Sequence, residues 1–475
     1  MNGSWNKALI VDLATGTSET WSIPEAWTRD LIGGEGVGVR LFAHLVDFDK
    51  PPLDPSQPLL AAVGPLTGTA APSSGRTCFV FRSPASGALG ISNVGGHLSP
   101  AIKKAGWDVI VFVGAADNPV YVVIDDDTVE IRDAIGLWGK GIHDTEEAVR
   151  AELDGKGWQI AAIGPAGENG VMYSAIMTDK ERAAGRGGGG AAMGAKNLKA
   201  FAVRGTKPLP IADPDALKEH AKKAREEFLT EEFVAAELKP FGTPSFYDSI
   251  SALGILPTQN WRRTTFPESI DTLGHAAYHA DLDVKPYACY ACPVACGRVT
   301  TIKTGPHAGE TGGGPEYETL GAFGAKCFCT DLNAVVKAGH VCNDLGLDTI
   351  AAGQVIAIAM EWYEKGILTP EMADGIDLTW GNGDMFPELL EKIAHRKGIG
   401  NMLADGSKRA AAALGGDAAD YTFEVKGVEL ASCGVRASKG EGISHAVSPR
   451  GADHLRPYAS VVDAFAYRSE ELGLT

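Results

Sequence analysis

Three of the chain's eight cysteines fall within eight residues, Cys289-Tyr-Ala-Cys292-Pro-Val-Ala-Cys296. A C-x-x-C-x-x-x-C run can bring its sulfurs to one centre only if the segment folds back on itself as a loop. Thiolates are soft ligands that favour zinc, copper(I) or iron–sulfur clusters. The remaining cysteines, Cys78, Cys327, Cys329, Cys342 and Cys433, form no second close C-x-x-C pair of the kind a zinc ribbon uses. Spacing therefore favours an iron–sulfur site over zinc. A thioredoxin-like redox pair would leave the third cysteine without a role, and buried thiols acting as small hydrophobes are the remaining reading.

The 475 residues are enough for about three domains and for a large core without disulfide staples. An apolar fraction of 44% and a charged fraction of 22% are those of a folded globular protein. Glycine is abundant, 59 residues against an average usage of about 7%, which implies many turns or close backbone approaches. The formal charge of −17 argues against nucleic acid and against anionic membrane surfaces, both of which require basic faces. The start, MNGSWNKALIVDL, lacks the basic region and long apolar core of a signal peptide. The longest nearly uncharged helical stretch, Thr349 to Met360, is too short to span a bilayer. These features predict a cytoplasmic protein with reduced thiols.

Along the chain, Ala8–Leu13, Leu59–Val63, Thr77–Phe81, Val109–Val113, Tyr121–Ile124 and Val129–Ile131 read as strands. A helix is expected from about Asp144 to Leu153, and glycine-rich joints recur at 33–38, 64–69, 93–96, 164–170 and 185–190. After Lys207-Pro-Leu-Pro the pattern becomes helical, first over Asp213 to Leu238 and then over Asp331–Leu345, Thr349–Lys365, Phe386–Arg396 and Asn401–Leu414. The expected fold class is α+β: a β-rich cofactor-binding domain over 1–210, an α-helical domain carrying the cysteine motif over 211–420, and the start of a third helical domain over 421–475.

Gly185-x-Gly187-x-x-Gly190 satisfies a dinucleotide fingerprint as a string, yet no Asp or Glu occurs between Arg182 and Ala212 to bind a ribose. A nicotinamide enzyme is disfavoured on that ground. A Walker loop fails as well, because Ala195 separates Gly194 from Lys196. What remains is Arg182-Ala-Ala-Gly185-Arg186 entering a glycine run, a pattern for an anion nest or for a turn with solvated arginines. Gly75-Arg76 and Ser92-Asn93-Val94-Gly95-Gly96 repeat the theme, and several such loops together could cradle one large polar ligand.

Taken together, GPLTGTAAPSSGR at 64–76, ISNVGG at 91–96, GPAGENG at 164–170, AAGRGGGGAAMGAKNLKA at 183–200, CYACPVACGR at 289–298, GPEYETLGA at 314–322, CNDLGLDT at 342–349 and SPRGADHLR at 448–456 resemble the tungsten-containing aldehyde:ferredoxin oxidoreductase family. The resemblance implies tungsten (or molybdenum) held by two pyranopterins, a magnesium ion bridging the pterin phosphates, and a [4Fe–4S] cluster. It implies that Arg76, Asn93, Gly95, Arg182, Ala183, Gly185 and Arg186 bind the pterins, joined by Asn343, Leu347, Asp348, Arg450 and Arg456. Cys289, Cys292 and Cys296 would be cluster ligands. Glu318 and His454 match positions that act on substrate, where an acid or base tuned towards neutral pH suits the proton work of aldehyde oxidation.

Three departures stand against the family pattern. Asn343 replaces an expected pterin-binding aspartate, and Lys337 with His340 replaces an E-x-x-H iron site, so no iron is expected there. The family chain continues past this point and carries its fourth cluster cysteine there, so a complete cluster is expected to need residues beyond 475; Cys433 does not match that position. The resemblance also implies a ferredoxin-like protein or electron-transfer subunit as acceptor, within a homo- or hetero-oligomer. Relatives of the same architecture reduce aromatic acyl thioesters or act on 2-hydroxy acids, and a silent scaffold subunit is the reading from a different class.

Overall fold

The short apolar runs of the first two hundred residues pair into two six-stranded sheets. In this computed structural model, which describes residues 2–466, 470, 471 and 473, the first sheet contains β1 (Lys7–Asp12), β2 (Thr17–Ser22), β3 (Leu59–Val63), β4 (Thr77–Arg82), β5 (Leu89–Val94) and β6 (Val109–Val113), in the order β2-β1-β6-β3-β4-β5. The second contains β7 (Val120–Asp125), β8 (Thr128–Asp133), β9 (Gln159–Ala162), β10 (Ile176–Thr178), β11 (Arg182–Ala184) and β12 (Leu198–Arg204), in the order β11-β10-β9-β12-β7-β8. Within these two sheets, among the described residues, only β1 with β6 and β7 with β12 run parallel.

Side chains alternate between faces with a period of two. From β1, β6, β7 and β12, the residues Leu9, Ile110, Phe112, Val122, Ile124 and Phe201 enter one shared core between the sheets. Phe201 meets Phe112 at 5.0 Å and Phe79 at 6.3 Å between ring centroids. The alternate residues face outward and are covered as well. Helix Glu35–Leu45 lays Val37, Leu41 and Phe42 on the first sheet, and helix Ile142–Glu152 lays Ile142 and Val149 on the second. Strands covered on both faces read as continuous apolar runs, which is why β1, β3, β6 and β7 were legible. Each such side chain contributes about 1.5–3 kcal/mol on burial.

Several glycines of the expected nest serve a different purpose. A Cβ on Gly188 would lie 2.4 Å from the Met172 carbonyl oxygen, one on Gly190 2.6 Å from that of Ala175, and one on Gly194 2.1 Å from that of Gly167. The Gly190 N–H donates to Ser174 O at 3.1 Å. Much of the run is therefore backbone packed against backbone, and Arg182–Ala184, read as entering an anion nest or a turn, is an edge strand. Lys196, the near-miss of the Walker pattern, donates its buried ammonium to the carbonyls of Pro55 and Gln57, each at 2.6 Å. It acts as a latch.

The chain divides into two compact units. The first holds Met1–Pro240, Tyr287–Gly297 and Asn343–Leu347, and the second Phe241–Pro286, Arg298–Cys342 and Asp348–Thr475. In the second, helix Thr349–Glu364 buries every residue from Ile350 to Trp362, and Asp348 caps it by accepting from Ile350 N at 3.1 Å. Gly353 lets this helix close on Ala322, where a Cβ would be 2.6 Å away. Two expected helices are corrected. Asn401–Leu414 is split into Ile399–Leu403 and Ser407–Leu414, because Gly406 turns with φ of +82°. Asp213–Leu238 ends its α-helix at Thr230, where Glu226 and Glu227 sit at the negative end of the helix dipole, and a π-helical turn follows over Val234–Leu238. Among the described residues no helix is long and apolar enough to cross a membrane.

Gly194→Ala forces a methyl into the Gly167 backbone and should cost about 1–3 kcal/mol in chemical denaturation. Gly136, whose added Cβ meets nothing within 4 Å, is the control. Equal stability of the two alanine variants would contradict the backbone-contact account.

Candidate functional sites

In the first unit, strand register gathers many of the residues singled out from sequence. Cys78 of β4 pairs with Asn93 of β5 and Thr77 with Val94, so the ladder continued by one step sets Arg76 opposite Gly95. On the second sheet, Thr178 pairs with Arg182 and Met177 with Ala183. Strand β11 lies against β5, which brings Arg182 and Ala183 to the Asn93–Gly96 corner. Gly185 and the buried Arg186 follow directly on β11.

The cysteine segment docks on this corner. Tyr290 donates from its N–H to Gly96 O at 3.1 Å and from its hydroxyl to Gly68 O at 2.8 Å. Ser73 N–H donates to Ala291 O at 3.2 Å, and the Ser73 hydroxyl reaches Cys292 Sγ at 3.5 Å. Ala291 and Ala295 hold φ values of +52° and +51°, the left-handed backbone that folds the loop back. Gly95 must lack a side chain because its Cβ would sit 2.5 Å from Cys289 Sγ, and Gly297 must because its Cβ would sit 1.8 Å from Arg182 Nη2. The Arg182 guanidinium lies 4.8 Å above the Tyr287 ring.

Asp179 ties these pieces together. It accepts from the Tyr287 hydroxyl and pairs with His97 Nδ1 at 2.8 Å. The Asp179 hydrogen bond holds the His97 imidazole above its ordinary 6.5 against the opposing effect of burial. The three cluster-motif cysteines are half-buried on one loop. Among the described residues no three His, Cys, Asp or Glu side chains converge on one metal-sized point. The donor set is three soft thiols on a loop that packs on Gly75 and Gly95 and lies beside Arg182. Such a set fits a thiolate-held cluster next to a phosphate-bearing cofactor.

Asn343 occupies a second corner of the same unit. Residues 343–347 pack on Gly164, whose Cβ would meet Leu345 backbone at 2.4 Å, and Ala175 N–H donates to Gly346 O at 2.8 Å. Leu347, buried, forms an antiparallel bridge with Ser174. The Asn343 amide donates to Glu181 Oε2 at 3.0 Å, while Glu181 Oε1 lies 2.9 Å from His143 Nε2. Glu181 raises the His143 imidazole. A carboxylate at 343 would face a carboxylate at 181, so the amide accounts for the departure at this position. Sequence reading missed Glu181 and His143 because nothing in their spacing links them to Asn343.

In the second unit, Glu318 and His454 come together. Glu318 lies in the helical turn Tyr317–Thr319, and a π-helical turn, Leu320–Lys326, follows it. Such turns are frequent at functional sites. Both carboxylate oxygens accept from Ser432 N–H, at 3.1 and 2.9 Å, and the Tyr317 hydroxyl donates to Ser432 O. His454 Nε2 stands 3.8 Å from Glu318 Oε1, and the two side chains are only 17% and 16% exposed. Burial pushes the Glu318 carboxyl up, but His454, Lys326 and the Ser432 hydrogen bonds outweigh it, so the net shift is downward. Glu318 is a carboxylate at neutral pH, able to accept a proton.

The other residues singled out in this unit have protein partners. Arg450 forms a buried pair with Asp453 at 2.6 Å through both Nη2 and Nε, and Arg456 is half-buried two residues after His454. Lys337 donates to Glu310 at 2.5 Å, and His340 Nε2 lies 3.2 Å from the Thr300 hydroxyl. Cys433 is buried near Glu441 and Glu318, and burial pushes its thiol up, a setting that opposes the thiolate a metal requires.

Replacing Asp179 with Asn should return the His97 titration, followed by NMR, towards about 6.5. Because the native imidazole titrates above its unfolded value, the wild-type advantage in stability is fully present below about pH 6.5 and is lost as pH rises through the native value. Identical His97 titrations in both proteins would remove Asp179 as the cause.

Comparisons with known proteins agree with this geometry. Residues 8–205 match the family model for the aldehyde ferredoxin oxidoreductase N-terminal domain, and residues 219–472 match that for its domains 2 and 3. The tungsten-containing aldehyde ferredoxin oxidoreductases of Pyrococcus furiosus and Thermococcus kodakarensis are each 39% identical over 98% of this chain and 76% of their own length. The WOR-like subunit of an aliphatic sulfonate oxidoreductase from Pyrococcus furiosus is 34% identical over 94% of this chain and 74% of its own. Among solved structures, the active-site complex of benzoyl coenzyme A reductase with 1,5-dienoyl-CoA aligns at a TM-score of 0.81 and 32% identity, covering 91% of this chain and 66% of that one. With both family models matched and the expected α+β arrangement present, the chain belongs to the aldehyde ferredoxin oxidoreductase family of tungsten oxidoreductases.

Proposed function

We propose that this oxidoreductase converts an aldehyde to the carboxylic acid and passes the electrons to a ferredoxin-like acceptor. One observation carries the proposal: an ionised Glu318, fixed by the Ser432 N–H, with His454 Nε2 3.8 Å away. Tungsten bound by pyranopterins supplies the two-electron chemistry. In the first unit, Arg76, Asn93, Gly95, Arg182, Ala183, Gly185, Arg186, Asn343 and Leu347 would hold that cofactor. The family resemblance gives Asp348, Arg450 and Arg456 as further pterin-binding positions. Cys289, Cys292 and Cys296 would hold the [4Fe–4S] cluster. The Arg450 charge is already balanced by Asp453, so Arg450 would act more as an oriented donor than as a free cation.

Oxidation of an aldehyde adds one oxygen from water and releases two protons and two electrons. Glu318, kept ionised, takes the first proton, and His454 beside it, in its neutral form, can pass that proton on. A second reading, reduction of an aromatic acyl thioester, is favoured by the structural match to the benzoyl coenzyme A reductase complex. In that reaction Glu318 and His454 would deliver protons instead of removing them.

Metal analysis by mass spectrometry on anaerobically purified protein should find tungsten or molybdenum together with iron; zinc alone would sink the reading. Glu318→Gln should keep the metal content and lower aldehyde turnover by roughly 10²–10⁴-fold. Full turnover in that variant would exclude Glu318 as proton acceptor. Turnover of an aromatic acyl thioester without aldehyde activity would favour the second reading.

A further inference from the structure

Helix Lys439–Val447 of the second unit has its amphipathic faces reversed. Glu441, Ser444 and His445 point inward and are buried, whereas Ile443 and Val447 are 62% and 63% exposed. The Glu441 side chain has no exposed surface and that of His445 has 2%. Four residues apart, they share one helix face, and His445 Nε2 lies 3.7 Å from Glu441 Oε1. Glu441 Oε2 accepts from Ser460 N–H at 3.2 Å, while Oε1 has no hydrogen-bond partner among the described residues. A helix that hides a carboxyl and an imidazole and shows isoleucine and valine to solvent is arranged against ordinary burial preference.

This buried pair is connected to Glu318. Glu318 is seated on Ser432 N–H; the next residue, Cys433, is buried near Glu441 and Glu318, and Ser460 N–H donates to Glu441 Oε2. The groups facing Glu441 are thus His445 on its own helix, Ser460 and Asp463 on the turn Ser460–Asp463, Tyr458 just before that turn, Cys433, and the carboxylate of Glu318. Burial first, and then the negative charges of Glu318 and Asp463, push the Glu441 carboxyl up to about 7, against the Ser460 hydrogen bonds. The two carboxyls are driven apart, Glu318 downward and Glu441 upward. Such a pair can divide acid and base duties.

We infer that Glu441 and His445 form a second proton station coupled to Glu318. Glu441 is a positioning residue that acts through Glu318, and its use in turnover rests on the proton role proposed for Glu318. Burial keeps the proton on Glu441, and the negative charge of an ionised Glu318 adds to that effect. When Glu318 takes up a proton that charge is lost, and the Glu441 proton passes to His445 Nε2. One O–H bond breaks at Glu441, one N–H bond forms at His445, and the cluster gains one positive charge, carried by the proton accepted at Glu318. No electron moves in this step.

The test is an NMR titration of the full chain labelled with ¹³C-glutamate and ¹⁵N-histidine. Glu318→Gln should lower the apparent pKa of Glu441 by about one unit, the effect of removing a like charge. Glu441→Gln should lower that of His445. A Glu441 titration indifferent to Glu318→Gln would overturn the inference. If Glu441→Gln does not fold, His445→Gln serves in its place and should shift the Glu441 titration; no shift would overturn the pairing. Turnover separates the two claims. Coupling seen by NMR together with full aldehyde turnover in Glu318→Gln leaves the proton station standing and removes the proton role proposed for Glu318. Where both hold, Glu441→Gln shifts the pH–rate profile and leaves metal content unchanged.

Discussion

Asp179 accepts from the Tyr287 hydroxyl, pairs with His97, and lies where a Cβ on Gly96 would be. One carboxylate thereby joins the hairpin of the second sheet, the end of β5 in the first, and the segment that leads into Cys289. The arginines and the cysteines come from parts of the chain more than a hundred residues apart. They share a corner because these three backbones close on one another, and they can close only where Gly75, Gly95, Gly96 and Gly297 carry no side chain. The abundance of glycine is therefore a packing requirement here. Ligand contact is a further use of the same corner.

The legible parts of the sequence were those in which local pattern and tertiary environment agree. β1, β3 and β6 are covered on both faces, so their apolar runs are unbroken and could be read directly. β9, β10 and β11 are three or four residues long and include Arg182 and Ala183, so propensity gave no strand signal and their pairing had to come from the sheet. The break in Asn401–Leu414 was present in the sequence as Asp405-Gly406, a turn dipeptide inside an otherwise helical pattern. The cysteine loop was legible because its spacing is local. Glu441 was not, since E-x-x-x-H on a helix becomes informative only once its face is known to be buried.

Asn343 shows how a departure from a family pattern becomes intelligible through its neighbour. Read alone, an asparagine in place of an aspartate is the loss of one charge. In the folded unit it donates to Glu181, whose other oxygen is engaged by His143. The carboxylate is present at this corner but is supplied by Glu181, next to Arg182. Two carboxylates in contact would each resist ionisation, and one would have to take up a proton. The amide avoids that conflict while keeping the negative charge.

The second unit resolves the same conflict differently. Glu318 and Glu441 are both carboxyls in a polar interior, and the chain separates them by environment instead of replacing one. Glu318 receives a backbone N–H and the neighbourhood of His454 and Lys326, all of which favour its charge. Glu441 receives burial, the field of Glu318 and Asp463, and an oxygen without a hydrogen-bond donor, all of which disfavour it. Each setting follows from which backbone N–H groups and side chains the Tyr317–Thr319 turn and the reversed helix bring into contact. The same interior thus holds one carboxyl in its charged form and drives its neighbour towards the neutral one.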